Sequence, residues 1–485
     1  MDASEEHYIV GIGASAGGLE ALERFFSNVP EGNSLAYVVI QHLSPDFRSH
    51  MVELLSKYTT MPVYEAEDGT EVQRNPVYLI PRRKNMILFQ GKLYLLDHPK
   101  ERGLNLPIDI FLESLARDQG EHAVGIILSG TGSDGARGIR AIKEAGGLVM
   151  AQDDTARFDG MPRSAIATQL VDYVLPPEAM PANLLSYIRH PHVLPEGVPH
   201  AAAPESEVQI EKLFAILRDR TGVDFTDYKP NTVLRRIERR MTVNNIDTLS
   251  NYVKYLQYSP EETRVLFKEF LIGVTRFFRD AEAFDYLAVE AIPALFASKS
   301  RQSPIRIWVP GCSTGEEAYS LAILCREYME QSGQYREVKI FATDIDREAL
   351  ETASRGIYPE SALADITTNR LQDYFLKRGD TFEVLRQLRS MVVFAYQNVI
   401  KDPPFSRMDL ISCRNMLIYL QPSLQRKVLS TFQFSLNPGG YLFLGSSESL
   451  GETGSAYSIE NVRWKVFRFQ GWSPFANKYR CGWRG

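Results

Sequence analysis

Three polar residues in the first third of the chain, Ser15, His42 and Asp134, are of the types that cooperate in nucleophilic hydrolysis. A serine hydroxyl is a weak nucleophile until a neighbouring base takes its proton, and that base needs a partner that orients it. The backbone N–H groups around Ala16 lie where a helix is predicted to begin, so they suit a developing oxyanion. Each residue alone also has a structural interpretation, as a helix cap, a strand end or a turn stabiliser. The combination favours catalysis.

The glycines around this serine, within residues 11–18, raise a second interpretation, because glycine-rich turns also bind dinucleotide phosphates. Their spacing departs from the G-x-G-x-x-G pattern of such sites. The second predicted strand also ends in Gln41-His42, where a dinucleotide site has an acidic residue for the ribose hydroxyl groups. We therefore favour a nucleophile over a phosphate site.

A second constellation lies in the stretch IRIWVPGCSTGEEAYSLAI, in which an apolar strand leads through a small-residue loop to Glu316 and Glu317 at the start of a helix. The next predicted strand ends in Asp344, whose carboxylate can accept hydrogen bonds from ribose hydroxyl groups. The loop lacks the lysine of a phosphate-binding P-loop, and acidic residues at the helix start repel pyrophosphate. A cationic ligand fits better, and S-adenosylmethionine carries a sulfonium. The alternative is a plain strand–turn–helix with a capping glutamate.

Alternating apolar strands and amphipathic helices must position both groups of residues. Strand-like runs such as YIVGIG, LAYVVIQ and AVGIILSG alternate with helical stretches in the first part of the chain, and a similar pattern returns near its end. This alternation predicts an α/β fold with two doubly wound, mainly parallel sheets. An all-helical segment is predicted between them. Because ligands bind at the carboxyl ends of parallel strands, the candidate residues are expected to meet at those edges.

The chain is expected to divide into five parts. A proline-rich stretch, HPHVLPEGVPHAAAPESE, separates the two α/β regions and has the composition of a linker. The predicted parts are residues 1–189 (first α/β domain), 190–207 (proline-rich linker), 208–291 (helical domain), 292–470 (second α/β domain) and 471–485 (C-terminal tail).

The overall composition is that of an ordinary globular protein. The 485 residues carry a net charge of −6 and are 44% apolar, so no global basic field indicates nucleic-acid binding. No apolar run approaches the ~20 residues that cross a bilayer, and the acidic start, MDASEEHY, argues against a secretory signal peptide. The cysteines show no C-x-x-C spacing, which predicts reduced thiols in a cytoplasmic protein. His190, His192 and His200 lie in the proline-rich stretch without further ligands at defined spacing, so we expect no metal site.

The N-terminal motifs GIGASAGGLEAL, VVIQHLSPD, ILSGTGSDGARG and FDGMPRSAI resemble, in this order, the catalytic domain of CheB, the chemotaxis protein-glutamate methylesterase. The resemblance implies Ser15 as the nucleophile, His42 as the general base and Asp134 as the residue that orients the histidine. It also implies main-chain oxyanion donors at Ala16 and Thr131.

The C-terminal motifs TRFFRD, GCSTGEEAYSLA, ATDIDREALE, CRNMLIYL and GGYLFLGSSE resemble CheR, the chemotaxis receptor glutamate methyltransferase. The resemblance implies S-adenosylmethionine as methyl donor, S-adenosylhomocysteine as product, and a small β-subdomain that helps to dock receptors, here predicted as a hairpin around Arg378-Gly379-Asp380. Arg279 and Tyr419 are implied beside the acceptor carboxylate. The implied cofactor contacts are Thr275, Arg279, Glu316, Asp344, Asn398, Val399, Cys413 and Arg414.

Three features depart from the patterns of these families. Thr131 stands where methylesterases commonly have methionine, although a backbone donor survives that change. The first strand begins by Tyr8, so we expect no phosphorylatable receiver domain ahead of the esterase. Gly273 stands where one methyltransferase contact is an asparagine, which removes that side-chain hydrogen bond.

Together the resemblances predict a CheB–CheR fusion with opposing activities on glutamate side chains of chemoreceptor-like helices, with glutamine deamidation as a further activity of the esterase. The segment NTVLRRIERRM clusters Arg235, Arg236, Arg239 and Arg240 on adjacent faces of a helix. A solvated face, a docking site for an acidic receptor helix and an RNA site all remain open for it. Two other functions compete with the fusion: a signalling scaffold with inactive sites, and an RNA or small-molecule methyltransferase paired with a general esterase.

Overall fold

The computed structural model describes residues 8–42, 50–98, 105–189, 204–271 and 273–471. Most of the predicted linker, with its three histidines, lies outside these residues, and so does the predicted tail beyond residue 471. Within the described ranges, none of the helices combines the length and the hydropathy that a membrane span requires.

A parallel sheet organises the N-terminal domain and contains seven strands in the described residues. Its strands are rich in β-branched residues and are covered by helices on both faces, so the central strands are buried along their whole length. In spatial order the strands are Tyr173–Leu175, Leu148–Gln152, Ala123–Ile127, Ile9–Ala14, Ala36–Gln41, Val77–Leu79 and Val63–Glu65.

The helices of this domain pack their apolar faces on the sheet, one of them very closely. An added Cβ would come within 2.6 Å of Leu112 at Gly11 and within 2.5 Å of Ile108 at Gly13. These two glycines therefore admit the helix Pro107–Gln119 onto the sheet, and they do not form a phosphate-binding turn. The helices are Gly18–Phe26, Met51–Leu55, Pro107–Gln119, Ala136–Ala145, Gly160–Ala167 and Met180–Arg189.

A short antiparallel sheet packs on the helix Pro107–Gln119 of this domain. The strands Lys84–Phe89 and Lys92–Asp97 form a hairpin, and Thr70–Glu71 pairs with the second of them. Its turn contains Gly91, with φ of 71°.

The segment that follows the linker is helical, as predicted, and has a hydrophobic core of its own. Proline occupies the first turn of the helix Pro230–Val243, where its missing N–H costs nothing. The Thr248 side chain caps the next helix by accepting a hydrogen bond from the Asn251 N–H. The helices are Pro204–Thr221, Pro230–Val243, Leu249–Tyr258, Pro260–Leu271, Ala281–Tyr286 and Ile292–Ala297.

The second α/β domain also contains a sheet with seven strands in the described residues. Five of them run parallel, and an antiparallel pair that the sequence pattern did not indicate extends one edge. In spatial order the strands are Val392–Tyr396, Val338–Asp344, Ile305–Pro310, Met408–Cys413, Leu436–Leu444, Val466–Phe469 and Tyr457–Asn461. The helices are Glu316–Ser332, Arg347–Arg355, Thr368–Tyr374, Arg386–Arg389 and Pro422–Ser435.

A small β-subdomain interrupts the second domain. The strands Phe375–Arg378 and Thr381–Val384 form the predicted hairpin, and Ile357–Pro359 adds a third strand. The predicted fold class is therefore confirmed: two α/β domains with mainly parallel sheets, a helical segment between them and a β-subdomain in the second.

Candidate active sites

The N-terminal sheet places Ser15 and His42 side by side at its carboxyl edge. Ser15 follows the strand Ile9–Ala14, and His42 follows the neighbouring strand, with Ala14 paired to Gln41. The His42 N–H donates a hydrogen bond of 3.2 Å to the Ala14 carbonyl. Because parallel neighbours lie about 4.8 Å apart, the two loops start from adjacent backbone positions.

Asp134 completes this edge from the other side of the central strand. Its Oδ2 lies 2.7 Å from Nε2 of His42, and its side chain is only 3% exposed, against 35% for the imidazole. The same carboxylate accepts backbone hydrogen bonds from Ile108 and Asp109, at 3.0 and 2.9 Å, in the first turn of the helix that begins at Pro107. The positive end of that helix therefore stabilises the carboxylate charge and fixes the carboxylate in place.

Among the described residues, the imidazole of His42 has a hydrogen-bond partner at one nitrogen. Since Nε2 of His42 contacts Asp134, Nδ1 is the nitrogen that remains to take a proton. Between the described residues, no hydrogen bond joins the Ser15 hydroxyl to His42. The structure thus brings Asp134 and His42 into direct contact and places Ser15 beside them.

The two predicted oxyanion donors lie on the loops that contact Ser15. The Ser15 N–H donates to the Ser129 carbonyl at 3.0 Å, and an added Cβ at Gly130 would lie 2.9 Å from the Ser15 Cβ. No hydrogen bond between described residues uses the N–H of Ala16 or of Thr131. With respect to the described part of the chain, both N–H groups are therefore free to donate beside the serine.

Asp109 was not among the predicted residues, yet it supports the Asp134 loop. It is 2% exposed and accepts hydrogen bonds from the N–H groups of Arg137 and Gly138, at 2.9 and 2.7 Å. Burial, and secondly the charge of Asp134, raises the pKa of Asp109 well above its usual range. Asp134 thus accepts hydrogen bonds from the first turn of the helix that carries Asp109, and Asp109 accepts them from the first turn of the helix that follows Asp134. No spacing within one motif reveals this arrangement.

The C-terminal domain contains a cavity at the carboxyl edge of its sheet. It opens where the strands Ile305–Pro310, Val338–Asp344 and Met408–Cys413 end, and the helical segment covers one side through Tyr228 and Phe270. Of the predicted cofactor and acceptor residues, those that line it are Thr275, Arg279, Asp344, Asn398, Val399, Arg414 and Tyr419.

The loop after the first of these strands is shaped around Asp344. Its turns require positive φ at Gly311 (67°), Ser313 (48°) and Gly315 (92°). The Ser313 N–H donates to Asp344 Oδ2 at 2.7 Å, and the Asp346 N–H donates to Oδ1 at 2.9 Å. Burial raises the pKa of Asp344 although these backbone donors oppose the change. The carboxylate is therefore fixed against the cavity wall.

Two predicted contacts, Glu316 and Cys413, are not among the described residues that line the cavity. The carboxylate of Glu316 accepts a hydrogen bond of 2.7 Å from the Thr314 hydroxyl. Its neighbour Glu317 lines the cavity instead and accepts a hydrogen bond of 2.6 Å from the Ser412 hydroxyl. One residue changes the direction of a helical side chain by about 100°, so the motif alone did not separate the two glutamates.

Gly273, where the family pattern has asparagine, packs against the glycine loop. The Ser313 hydroxyl donates to its carbonyl at 2.8 Å, and an added Cβ at Gly273 would lie 2.5 Å from that hydroxyl oxygen. Ser313 therefore occupies the space that a side chain at residue 273 requires.

The arginine cluster is not a solvated patch. The side chains of Arg236, Arg239 and Arg240 are 6–8% exposed and bind acidic residues of the protein itself. Arg235 is half exposed and lies 3.6 Å from Glu121. The expectation that these side chains offer a free surface to a receptor or to RNA is corrected here: three of the four are buried.

Family models match most of the chain. The model described as CheB methylesterase matches residues 10–184. The all-alpha domain of CheR methyltransferase matches residues 209–271, and its SAM-binding domain matches residues 273–466. The match to the SAM-binding domain therefore identifies S-adenosylmethionine as the cofactor of the C-terminal domain.

The chain is also similar to individual proteins and to a solved structure. The chemotaxis protein methyltransferases of Borreliella burgdorferi and Escherichia coli are 32% and 31% identical to the chain, over 50% of its length and over 88% and 85% of theirs. An uncharacterized 104.1 kDa protein of Rhodobacter capsulatus is 40% identical over 86% of the chain, which spans 46% of that protein. The solved catalytic domain of Thermotoga maritima CheB methylesterase is 33% identical, with 37% of this chain and 97% of that one covered and a TM-score of 0.34.

A CheB-type domain, a CheR-type helical domain and a CheR-type SAM-binding domain thus follow one another in one polypeptide. The chain belongs to the chemotaxis methyltransferase family and is a CheB–CheR fusion.

Proposed function

We propose that the chain is a bifunctional enzyme that writes and erases methyl esters on glutamate side chains of chemoreceptor-type helices. The C-terminal half transfers a methyl group to glutamate, and the N-terminal half hydrolyses the ester to glutamate and methanol. Glutamine deamidation follows the same scheme, with ammonia as the leaving group. The single observation that supports this proposal best is the contact of 2.7 Å between His42 and Asp134 beside Ser15, in a chain that also holds the methyltransferase cavity.

In the esterase half, the proposed steps begin when Nδ1 of His42 takes the proton of the Ser15 hydroxyl. The serine oxygen attacks the ester carbonyl, and the N–H groups of Ala16 and Thr131 donate to the oxyanion. His42 then gives its proton to the leaving methoxide, which departs as methanol, and later activates the water that releases glutamate. Asp134 stabilises the imidazolium and keeps the ring oriented.

In the methyltransferase half, the work of the protein is positioning. S-adenosylmethionine, when bound, supplies a methyl group that its sulfonium activates. We assign Asp344 to the ribose hydroxyl groups, and Glu317 and Arg414 to the neighbouring cavity wall. Arg279 would anchor the acceptor carboxylate, and Tyr419 would flank it. The acceptor glutamate is ionised at pH 7, so no general base is needed and alignment limits the reaction.

The remaining assignments belong to the same proposal. We retain the five-part division of the chain, the cytoplasm as its location, and the cytoplasmic helices of methyl-accepting receptors as its partners. The two matched families, one for each direction of the reaction, support these assignments.

A two-way assay tests the proposal. The full chain is incubated with tritiated S-adenosylmethionine and a panel of receptor cytoplasmic fragments, and both protein-bound label and released methanol are counted. We expect label in the receptor and its slow release as methanol. Ser15→Ala should keep the label on the receptor, whereas Asp344→Asn should reduce its incorporation. Labelled RNA with an unlabelled receptor panel would contradict the proposal.

A further inference from the structure

A helix of the esterase domain lies beside the methyltransferase cavity. A second cavity shares lining residues with the first and is lined from both halves of the chain. Arg140 and Glu144 of the helix Ala136–Ala145 form one wall, and Thr275 and Arg279, which also line the cofactor cavity, form the other. An acceptor side chain that reaches the cofactor cavity from this direction must pass that helix.

One side chain of this helix contacts the proposed acceptor anchor. Oε1 of Glu144 lies 3.1 Å from Nη2 of Arg279, and the two side chains are 32% and 20% exposed. The other terminal nitrogen of the guanidinium, Nη1, donates to the Val274 carbonyl at 2.9 Å. The terminal nitrogen that does not contact the backbone is therefore bound to a carboxylate of the chain itself.

The charge of Glu144 also acts on the second proposed acceptor residue, Tyr419. Burial raises the pKa of Tyr419, and the negative charge of Glu144 is the next largest cause. Arg236 and Arg279 act in the opposite direction. Glu144 thus lies within electrostatic reach of both residues to which the acceptor is assigned.

A buried charge cluster holds the helix in this place. Nζ of Lys143, the residue before Glu144, lies 2.7 Å from Asp172 and 2.5 Å from Glu269 of the helical segment. Arg239 bridges the same two carboxylates from the methyltransferase side, and all four side chains are at most 6% exposed. A partly exposed ion pair is worth little by itself. Here, however, the buried charge cluster already fixes the helix, so placing Glu144 beside Arg279 requires no further ordering of the backbone.

Glu144 also has the chemistry of the proposed substrate, since it is a glutamate carried on a helix, Ala136–Ala145. We propose that Glu144 is an internal substitute for the acceptor: it occupies the carboxylate subsite at Arg279 and competes with the receptor glutamate. This inference rests on the proposed methyltransferase function. It predicts that Glu144 limits methylation until the glutamate of the receptor displaces the Glu144 side chain from Arg279.

Steady-state kinetics of the full chain test this proposal, with Glu144→Gln and Glu144→Ala as variants. Glu121→Gln is the matched control, because Glu121 also pairs across the two halves, with Arg235 at 3.6 Å, but away from the cavity. Initial rates of methyl transfer are measured against the concentration of a receptor fragment at saturating S-adenosylmethionine. Since a partly exposed ion pair contributes up to about 1 kcal/mol, we expect both Glu144 variants to lower KM for the receptor about fivefold, with kcat unchanged. The control should match the wild type.

Different results would overturn the internal competitor and the proposed function. An active wild type whose KM is the same in both Glu144 variants overturns the internal competitor and leaves the proposed function intact. A wild type and variants that bind S-adenosylhomocysteine in calorimetry but methylate no receptor fragment overturn the proposed function, and this inference with it. A lower KM in Glu121→Gln of the same size would assign the effect to general loosening of the interface and would also overturn the role of Glu144.

Discussion

The two candidate sites lie at equivalent edges of two similar sheets, but they are built in different ways. The N-terminal site concentrates its chemistry in one chain of contacts, from the helix that begins at Pro107 through Asp134 to His42, beside Ser15. The C-terminal site distributes its contacts over three strand ends, a glycine loop and the helical segment around one cavity. The contrast follows from the reactions, since ester hydrolysis needs a proton path and methyl transfer needs alignment.

This comparison has a consequence for mutational sensitivity. A site that depends on one nucleophile should lose nearly all activity when a substitution removes the nucleophilic atom. A site that positions a ligand through many contacts should lose affinity in steps, because each contact contributes only part of the binding free energy. The experiments below test that difference, from the largest expected effect to the smallest.

Ser15→Ala should separate the two sites most sharply. The variant lacks the nucleophilic oxygen, so we expect release of methanol from methylated receptor to fall by roughly 10⁴-fold or more. Methyl transfer to the receptor should stay within about twofold of the wild type. Methanol release that survives the substitution would show that another residue is the nucleophile.

Asp172→Asn tests the buried cluster that joins the two halves. The change leaves Lys143 and Arg239 with one carboxylate fewer in a buried environment, so we expect a loss of about 3–5 kcal/mol in the free energy of unfolding. Urea denaturation measures it, and Glu121→Gln, in a half-exposed pair, should cost less than about 1 kcal/mol.

The same cluster predicts a direction for pH dependence. Burial alone would raise the pKa of Asp172, but Arg239 and Lys143 lower it to about 2. Since the pKa is lower in the folded state than in the unfolded chain, the stabilisation is complete above the unfolded value of about 4. It is lost as the pH falls from there through the folded value. The Asp172→Asn variant should therefore approach the wild type in stability as the pH is lowered.

Asp344→Asn should weaken the methyltransferase without abolishing it. The carboxylate charge disappears while the side chain keeps its shape, and a hydrogen bond to a charged group is worth about 1.5–3 kcal/mol. We expect the dissociation constant for S-adenosylhomocysteine, measured by calorimetry, to rise about 10- to 100-fold. Methanol release should not change. An unchanged dissociation constant would exclude Asp344 as a ligand contact.

The fold was largely predictable from the sequence because its strands are short, apolar and bounded by glycine or proline. The strand Val63–Glu65 was missed because two of its three residues are exposed, which removes the apolar run. Burial of Arg239 was unpredictable for a different reason. Its partners Asp172 and Glu269 come from two different domains, and a helical charge cluster looks the same whether it faces water or a second domain.

The candidate residues were predictable to the precision of a motif, which is less than the precision of a side chain. Strand ends placed Ser15, His42 and Asp134 at one edge, as the topology requires. Which of Glu316 and Glu317 lines the cavity depends on the rotation of the helix, which the motif does not contain. Asp109 acts through a helix that is distant in sequence from the Asp134 loop, so only the fold shows it.

The choice between Glu316 and Glu317 as the cofactor contact can be tested with a matched pair of variants. Glu316→Gln and Glu317→Gln remove the same charge from adjacent buried positions at the start of one helix. Of these two residues, Glu317 lines the cavity and Glu316 does not. We therefore expect Glu317→Gln to weaken binding of S-adenosylhomocysteine about tenfold, and Glu316→Gln to weaken it less than twofold. The reverse order would return the contact to the residue that the family resemblance implied.

The smallest expected effect concerns Gly273, where this chain departs from its family. Gly273→Ala places a Cβ within 2.5 Å of the Ser313 hydroxyl oxygen, so that hydroxyl must move and give up its hydrogen bond to the carbonyl of residue 273. The loss of this hydrogen bond costs about 1 kcal/mol, and we expect the affinity for S-adenosylhomocysteine to fall about fivefold. Ser313→Gly in the same chain removes the hydroxyl and also suits the positive φ of that residue. Because both substitutions remove the same hydrogen bond, the double variant should lose no more affinity than Gly273→Ala alone, whereas two independent defects would add; an additive result would mean that Ser313 is not what excludes a side chain at residue 273.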